Sequence, residues 1–175
     1  MHILLLAWLF RENNKNKTWK QLPKYYPNIL YVSLFNWLYY FLVHHKLLWE
    51  LQSNLFNRTT LKIIHICIIN PLLILLYLSN LPNTLVKQFI YVVRWIIIST
   101  IVEWLFYKKG KIVFYHGWNI GWSIVIYIKM YLFCLLLNKK PILIMNLSII
   151  DTICFLLKFN IPVRKNMIKQ VRKWI

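Results

Sequence analysis

Five long runs of apolar residues, separated by short polar connections, limit this chain to very few folds. Runs of this length match transmembrane helices, which need about 20 predominantly apolar residues. They are too long for ordinary strands, and the alternation of a membrane barrel is absent. We therefore predict an all-α fold, a polytopic helical membrane bundle with five spans at residues 28–43, 63–81, 85–107, 117–137 and 142–157.

The five-span bundle is predicted to cover residues 28–160. Two segments precede it, and their structure is harder to interpret. Residues 1–10 are apolar, but a helix of that length rises only about 15 Å, half of the hydrocarbon core. This short apolar helix lies either at the membrane interface or across the membrane as a sixth, N-terminal span. Residues 11–27 are polar and basic, with two prolines, and are predicted to form a loop.

Residues 161–175 are predicted to form a basic amphipathic tail. From residue 164 onward, apolar and basic side chains fall on opposite faces of a helix. A helix with this pattern binds the surface of a membrane that contains anionic lipid. The alternative is a solvated basic tail that only enforces topology.

The basic residues flank the apolar runs. Lysine and arginine number 22 against 4 acidic residues, a net charge of +18. That balance is typical of nucleic-acid-binding proteins, but the position of these residues predicts cations beside a bilayer and no nucleic acid partner. With five spans, twelve of them lie on the side of the C-terminus and eight on the other. The positive-inside rule therefore predicts a multi-pass cell membrane protein with a cytoplasmic C-terminus.

Three charged residues and one asparagine are predicted to form an intramembrane charge layer. A charge inside a span costs about 2.5–3.5 kcal/mol on insertion scales, so each needs a partner or a purpose. Lys129 and Asp151 lie at similar distances from the turn between the last two spans, which predicts an ion pair. Arg94 lies as far before the turn between the third and fourth spans as Met130, the neighbour of Lys129, lies after it. Arg94 is therefore predicted at the same depth, with Asn70 of the second span nearby. Two cations against one aspartate predict an excess of positive charge that attracts an anionic group.

A second polar group is predicted where the third and fourth spans meet. Glu103 shares one helical face with Ser99 and Thr100. On the next span Asn119, Ser123 and Tyr127 follow at spacings of four residues. We expect these side chains, with Trp118, to form a hydrogen-bonded polar seam near the membrane boundary, with His116 at its mouth. Polar residues commonly join membrane helices. A ligand, ion or proton site and catalysis are the alternatives.

No sequence motif indicates catalysis, a cofactor or a metal. The chain contains no HExxH, GxSxG or P-loop pattern. Cys67, Cys134 and Cys154 lie far apart inside apolar runs, which argues against a zinc site or a disulfide framework. They are predicted to be small apolar core residues.

Several short motifs in the chain resemble those of a known family. They are Trp19–Tyr31, Leu47–Glu50, the span that contains Pro71, and the dipeptide Lys140-Pro141 at the start of the last span. The longest motif runs from Glu103 through Gly110-Lys111-Ile112 and Tyr115-His116-Gly117-Trp118-Asn119 to Ser123. Together they resemble a family of small multi-pass membrane proteins of uncharacterised function from Gram-positive spore-forming bacteria. The resemblance implies a similar fold and implies no activity.

The sequence leaves three functional interpretations. The first is a non-enzymatic membrane protein that acts through helix, lipid or partner contacts, including a homo-oligomer. The second is a small transporter or ion-handling protein that uses Arg94, Lys129 and Asp151. The third is a membrane enzyme acting on lipid, centred on Glu103 and His116.

Overall fold

The computed structural model describes residues 1–162, which form six α-helices and one two-stranded sheet. Most of the predicted amphipathic tail, residues 163–175, lies outside the described residues. The helices are α1 (His2–Lys15), α2 (Leu22–Val43), α3 (Arg58–Ser79), α4 (Leu85–Lys108), α5 (Ile120–Leu137) and α6 (Pro141–Lys158). The strands are β1 (Trp49–Leu51) and β2 (Ile112–Phe114).

Four helices of the described chain, α3 to α6, are long and apolar enough to cross a membrane. Their outward faces carry large apolar side chains, as the exposed residues Ile90, Ile97 and Ile101 of α4 illustrate. A continuous apolar surface of this extent marks a membrane protein. Helix α2 has 22 residues, but its tyrosines and asparagines lower its hydropathy below that of the other four. The fold is helical as predicted, whereas the fifth span rests on α2 and is not established.

The predicted loop at residues 11–27 is wrong. Helix α1 continues through Lys15, a 3₁₀ turn follows at Thr18–Gln21, and α2 begins at Leu22. Asn13, which is fully buried, fastens α1: its Nδ2 donates to the carbonyl oxygen of Leu72 in α3 at 3.1 Å. The hydroxyl of Thr18 donates to Asn13 Oδ1 at 2.5 Å. These tertiary contacts extend the helix beyond the apolar run.

Helix α3 is irregular immediately before Asn70 and Pro71. A π-helical turn, His65–Ile69, interrupts the α-helix immediately before the proline. Proline has no N–H group, so the carbonyl of the preceding turn loses its usual partner. The wider turn changes the hydrogen-bond register there, and the helix then continues from Asn70 to Ser79.

The small sheet was not predicted, and it determines which connections share a face of the bundle. Strand β1 pairs antiparallel with β2, with Trp49 opposite Phe114. The α2–α3 connection therefore meets the α4–α5 connection. On the same face, Lys46 Nζ donates to the carbonyl oxygen of Phe159 at the end of α6, at 2.8 Å. Met1 also packs against the residues around Ile112, so Met1 and the end of α6 share the sheet face.

Buried tyrosines hold the other half of the bundle together. Tyr77 and Tyr131 are both fully buried. The Tyr77 hydroxyl donates to the carbonyl oxygen of Tyr131 at 3.2 Å, and the hydroxyl groups of Tyr131 and Ser99 lie 2.6 Å apart. These hydrogen bonds link α3, α4 and α5. They stabilise the bundle because a polar group left unpaired in its apolar interior would be costly in free energy.

Candidate functional site

Glycine and asparagine residues in the longest motif shape the connection that precedes the candidate site. Gly110 has φ +64° just after α4, and the next amide, of Lys111, donates to the carbonyl oxygen of Phe106 at 2.8 Å. This is a Schellman helix end, in which a left-handed residue is usually glycine. Gly117 has φ +82°, and Asn119 caps α5 by accepting a hydrogen bond from the amide of Trp122. The structural roles of these three motif residues explain why glycine and asparagine occur at these positions.

Glu103 is the centre of the polar seam. The Ser123 hydroxyl donates to Glu103 Oε1 at 2.5 Å, and the Tyr127 hydroxyl donates to Glu103 Oε2. The indole Nε1 of Trp118 donates to Ser123 Oγ at 3.1 Å. These four residues, the Glu103 network, join α4 to the beginning of α5. Tyr127 lies four residues after Ser123 on the same helical face, as its spacing predicted.

Two predicted members of the seam do not belong to it. His116 is exposed at φ +52° in the connection, and its nearest aromatic neighbour is Tyr115, with ring centroids 6.5 Å apart. Asn119 is occupied with its capping bond. Neither side chain contacts Glu103. The sequence prediction failed here because it assumed a continuous helix from Gly117, whereas α5 begins at Ile120.

The predicted ion pair between the last two helices is present. Lys129 Nζ of α5 lies 2.7 Å from Asp151 Oδ1 of α6. The same ammonium lies over the ring of Phe155, 5.1 Å from its centroid. Lys129 is six residues further along α5 than Ser123, so the backbone of Lys129 lies about 9 Å deeper in the bundle than that of Ser123.

Arg94 does not share the layer with this pair. Its side chain is exposed on the outer surface of α4, on the opposite side from Ser99, which faces the bundle. Asn70 is half-buried and lines the same cavity as Lys129 and Asp151. Of the predicted layer, only the Lys129–Asp151 pair and the nearby amide of Asn70 remain. Hairpin geometry predicts the depth of a side chain in the membrane, but it does not predict the direction in which the side chain faces.

A central cavity of about 360 Å³ lies between the helices and reaches both polar groups. Glu103, Ser123 and Tyr127 line it, as do Lys129 and Asp151. The remaining wall is largely aliphatic and aromatic. Six of its aromatic residues, from α2, α4, α5 and α6, are Tyr31, Phe35, Tyr39, Trp95, Phe133 and Phe155. Its size is within the range of small-molecule sites in proteins.

The charged residues of the cavity differ from the predicted set. Its charged residues, among those that the structure describes, are Glu103, Lys129 and Asp151. Because Lys129 is paired with Asp151 and Arg94 lies outside, Glu103 is the one of these three residues without a partner of opposite charge in the described chain. The expected grouping of two cations with one aspartate is therefore not found in the cavity lining among the described residues, and this lining gives no excess of positive charge.

The cysteines and histidines form no metal cluster within residues 1–162, where no group of three or more potential metal ligands occurs. Cys134 is buried, as predicted, while Cys67 and Cys154 are exposed on the outer surface, against the prediction of core positions. His2 and His65 do meet, with ring nitrogens 3.0 Å apart, and His2 Nε2 lies 3.0 Å from the carbonyl oxygen of Gln52. This contact fastens α1 to α3 and the sheet.

The chain was compared with known proteins by sequence and by structure. No protein-family model, curated protein or solved structure matches it. The possible roles of the Glu103 network, the ion pair and the central cavity therefore follow from their own geometry.

Proposed function

We propose that this protein is an integral membrane protein without enzymatic activity that binds an amphipathic molecule in its central cavity. The cavity itself is the observation that carries the proposal. Helical bundles build ligand sites between their helices, from mostly apolar walls with a few polar groups that fix orientation. The central cavity has this composition, since apolar side chains surround the Glu103 network and the Lys129–Asp151 pair.

We place all six helices across the cell membrane, with α1 as a short crossing and α2 as a full one. Support comes from the side-by-side packing of α1 and α2 with α3. Met1 and the end of α6 then lie on one side, with the sheet. The larger number of basic residues on that side favours its placement in the cytoplasm. The basic residues beyond 163 are proposed to contact anionic lipid.

The site geometry favours binding over the alternatives. An enzyme centred on Glu103 and His116 would need these groups close together, and His116 does not contact Glu103. A transporter that uses Arg94 together with Lys129 and Asp151 would need Arg94 in the bundle, and its side chain is exposed on the outer surface. The resemblance to membrane proteins of spore-forming bacteria remains a prediction and supports no particular ligand.

The test compares two substitutions of valine by phenylalanine in the same helix. Val102 lines the central cavity, whereas Val93 is 37% exposed on the outer face of α4. The protein is purified in nanodiscs from membranes, and the small molecules that remain bound are identified by native mass spectrometry. We expect Val102→Phe to lose the bound amphiphile because the added ring occupies the cavity, and Val93→Phe to retain it.

Equal retention by both variants, with both folded, would contradict the proposal. So would a wild-type protein that retains nothing beyond the lipids of an empty nanodisc. Thermal unfolding of each variant, followed by tryptophan fluorescence, provides the folding control.

A further inference from the structure

We infer that the central cavity selects an amphiphile with a cationic head, such as an alkylammonium, over neutral or anionic ones. This inference rests on the proposed function and adds the class of ligand. The charges, the hydrogen bonds of Glu103 and the aromatic wall each support it.

The charges in the wall leave one carboxylate without a cationic partner. Two of the four acidic residues have a basic partner: Asp151 pairs with Lys129 at 2.7 Å, and Glu50 pairs with Arg58 at 3.5 Å. Glu103 lines the cavity and, among the described residues, has only neutral partners. A cation in the cavity would supply the opposite charge. In an apolar site this attraction is much stronger than in water.

The hydrogen bonds around Glu103 are directed toward a carboxylate. Ser123 Oγ accepts a hydrogen bond from Trp118 Nε1, so its own proton points to Glu103 Oε1. Tyr127 donates to the other oxygen. A carboxylate has about four acceptor positions, and two remain after these bonds. The network therefore holds the acid in place and leaves part of each oxygen available to a ligand.

The aromatic wall already accepts a cation at one point. The ammonium of Lys129 lies 5.1 Å from the ring centroid of Phe155. Aromatic faces attract alkylammonium groups in the same way, and such rings recur in sites for quaternary ammonium ligands. Trp118, Trp95 and Tyr39 line the same cavity. Rings and carboxylate together match an organic cation with an alkyl tail.

The experiment measures the binding of three single-chain probes to the full-length protein in nanodiscs, by native mass spectrometry. Decyltrimethylammonium is cationic, decyldimethylamine oxide has an uncharged head of similar size, and decyl sulfate is anionic. Empty nanodiscs give the background from partition into lipid. We expect the cationic probe to bind at least tenfold more tightly than either of the others.

Glu103→Gln removes the charge at nearly constant shape, and Glu12→Gln makes the same change outside the cavity lining. We expect Glu103→Gln to weaken binding of the cationic probe at least tenfold, with little effect on the amine oxide, and Glu12→Gln to change neither. If Glu103→Gln does not fold, the preference of the unaltered protein among the three probes still tests the inference.

Each remaining outcome counts against a different statement. Equal binding of the cationic and uncharged probes, or tightest binding of decyl sulfate, would overturn the choice of a cation and leave the cavity as an amphiphile site. Unchanged cation binding in folded Glu103→Gln would also overturn it. Binding of no probe above background would remove the proposed function itself.

Discussion

The ammonium of Lys129 and the carboxylate of Asp151 approach to 2.7 Å across the interface of α5 and α6. They are 22 residues apart in the chain and lie on opposite arms of a tight helical hairpin. The contact offsets two charges that would each be unfavourable alone in a membrane interior. It also leaves Glu103 as the acidic residue of the central cavity without a basic partner within residues 1–162.

Removal of either member of this pair should destabilise the protein. We expect Lys129→Met and Asp151→Asn each to lower the free energy of unfolding by about 1–3 kcal/mol, because each leaves the other charge unpaired. The side chains are 33% and 28% exposed, so the cost should be below that of a fully buried pair. The double variant should lose at least about 0.5 kcal/mol less than the sum of the single ones. Unfolding in bicelles measures this, and additive losses would show that the pair is not coupled.

Replacement of Glu103 should separate hydrogen bonding from charge. Glu103→Leu leaves the hydroxyl groups of Ser123 and Tyr127 without their acceptor, so we expect a loss of about 1–3 kcal/mol in unfolding free energy. Glu103→Gln keeps an oxygen acceptor and should cost about 1 kcal/mol or less. Glu12→Leu is the matched control, with an expected change within about 0.5 kcal/mol. Equal losses for the leucine and glutamine variants would show that the hydrogen bonds contribute little.

Asn13 should be essential for the attachment of α1. Asn13→Ala leaves the Thr18 hydroxyl and the carbonyl oxygen of Leu72 without their contacts. We expect a loss of about 1–3 kcal/mol and faster proteolysis at residues 15–21. Asn16→Ala is the control, since the Asn16 amide bonds locally in an exposed position and should matter by less than about 0.5 kcal/mol. Similar stability of the two variants would argue that α1 is held mainly by its apolar contacts.

The faces of the bundle can be assigned to compartments with single cysteines in a background in which all three native cysteines are replaced by serine. His116→Cys and Asn54→Cys lie on the sheet face, and Asn83→Cys lies in the turn at the other face. We expect a membrane-impermeant maleimide to label Asn83→Cys in intact cells and the other two only after lysis. The reverse pattern would refute the cytoplasmic placement of the sheet face. Labelling of all three in intact cells would refute the proposed crossing of α3.

The apolar runs were sufficient to predict the helices at Leu85–Lys108 and Pro141–Lys158 nearly to the residue, because bilayer thickness and the absence of water impose one solution on such runs. The Lys129–Asp151 pair was also predictable, since a tight hairpin brings residues equidistant from its turn to the same depth. Glu103 with Ser123 followed from the same geometry.

Facing direction, by contrast, was decided only by the tertiary structure. Arg94 was predicted to join the charge layer from its depth alone, but the packing of α4 turns it outward, so the cavity, as lined by the described residues, lacks the second cation that was predicted. The sheet between Trp49–Leu51 and Ile112–Phe114 joins two connections far apart in the chain, so no local sequence pattern predicted their pairing. The helix through Lys15 depends on Asn13, whose partner Leu72 lies 59 residues away. Each of these features depends on which side chains meet in space, which hydropathy and spacing along one chain do not specify.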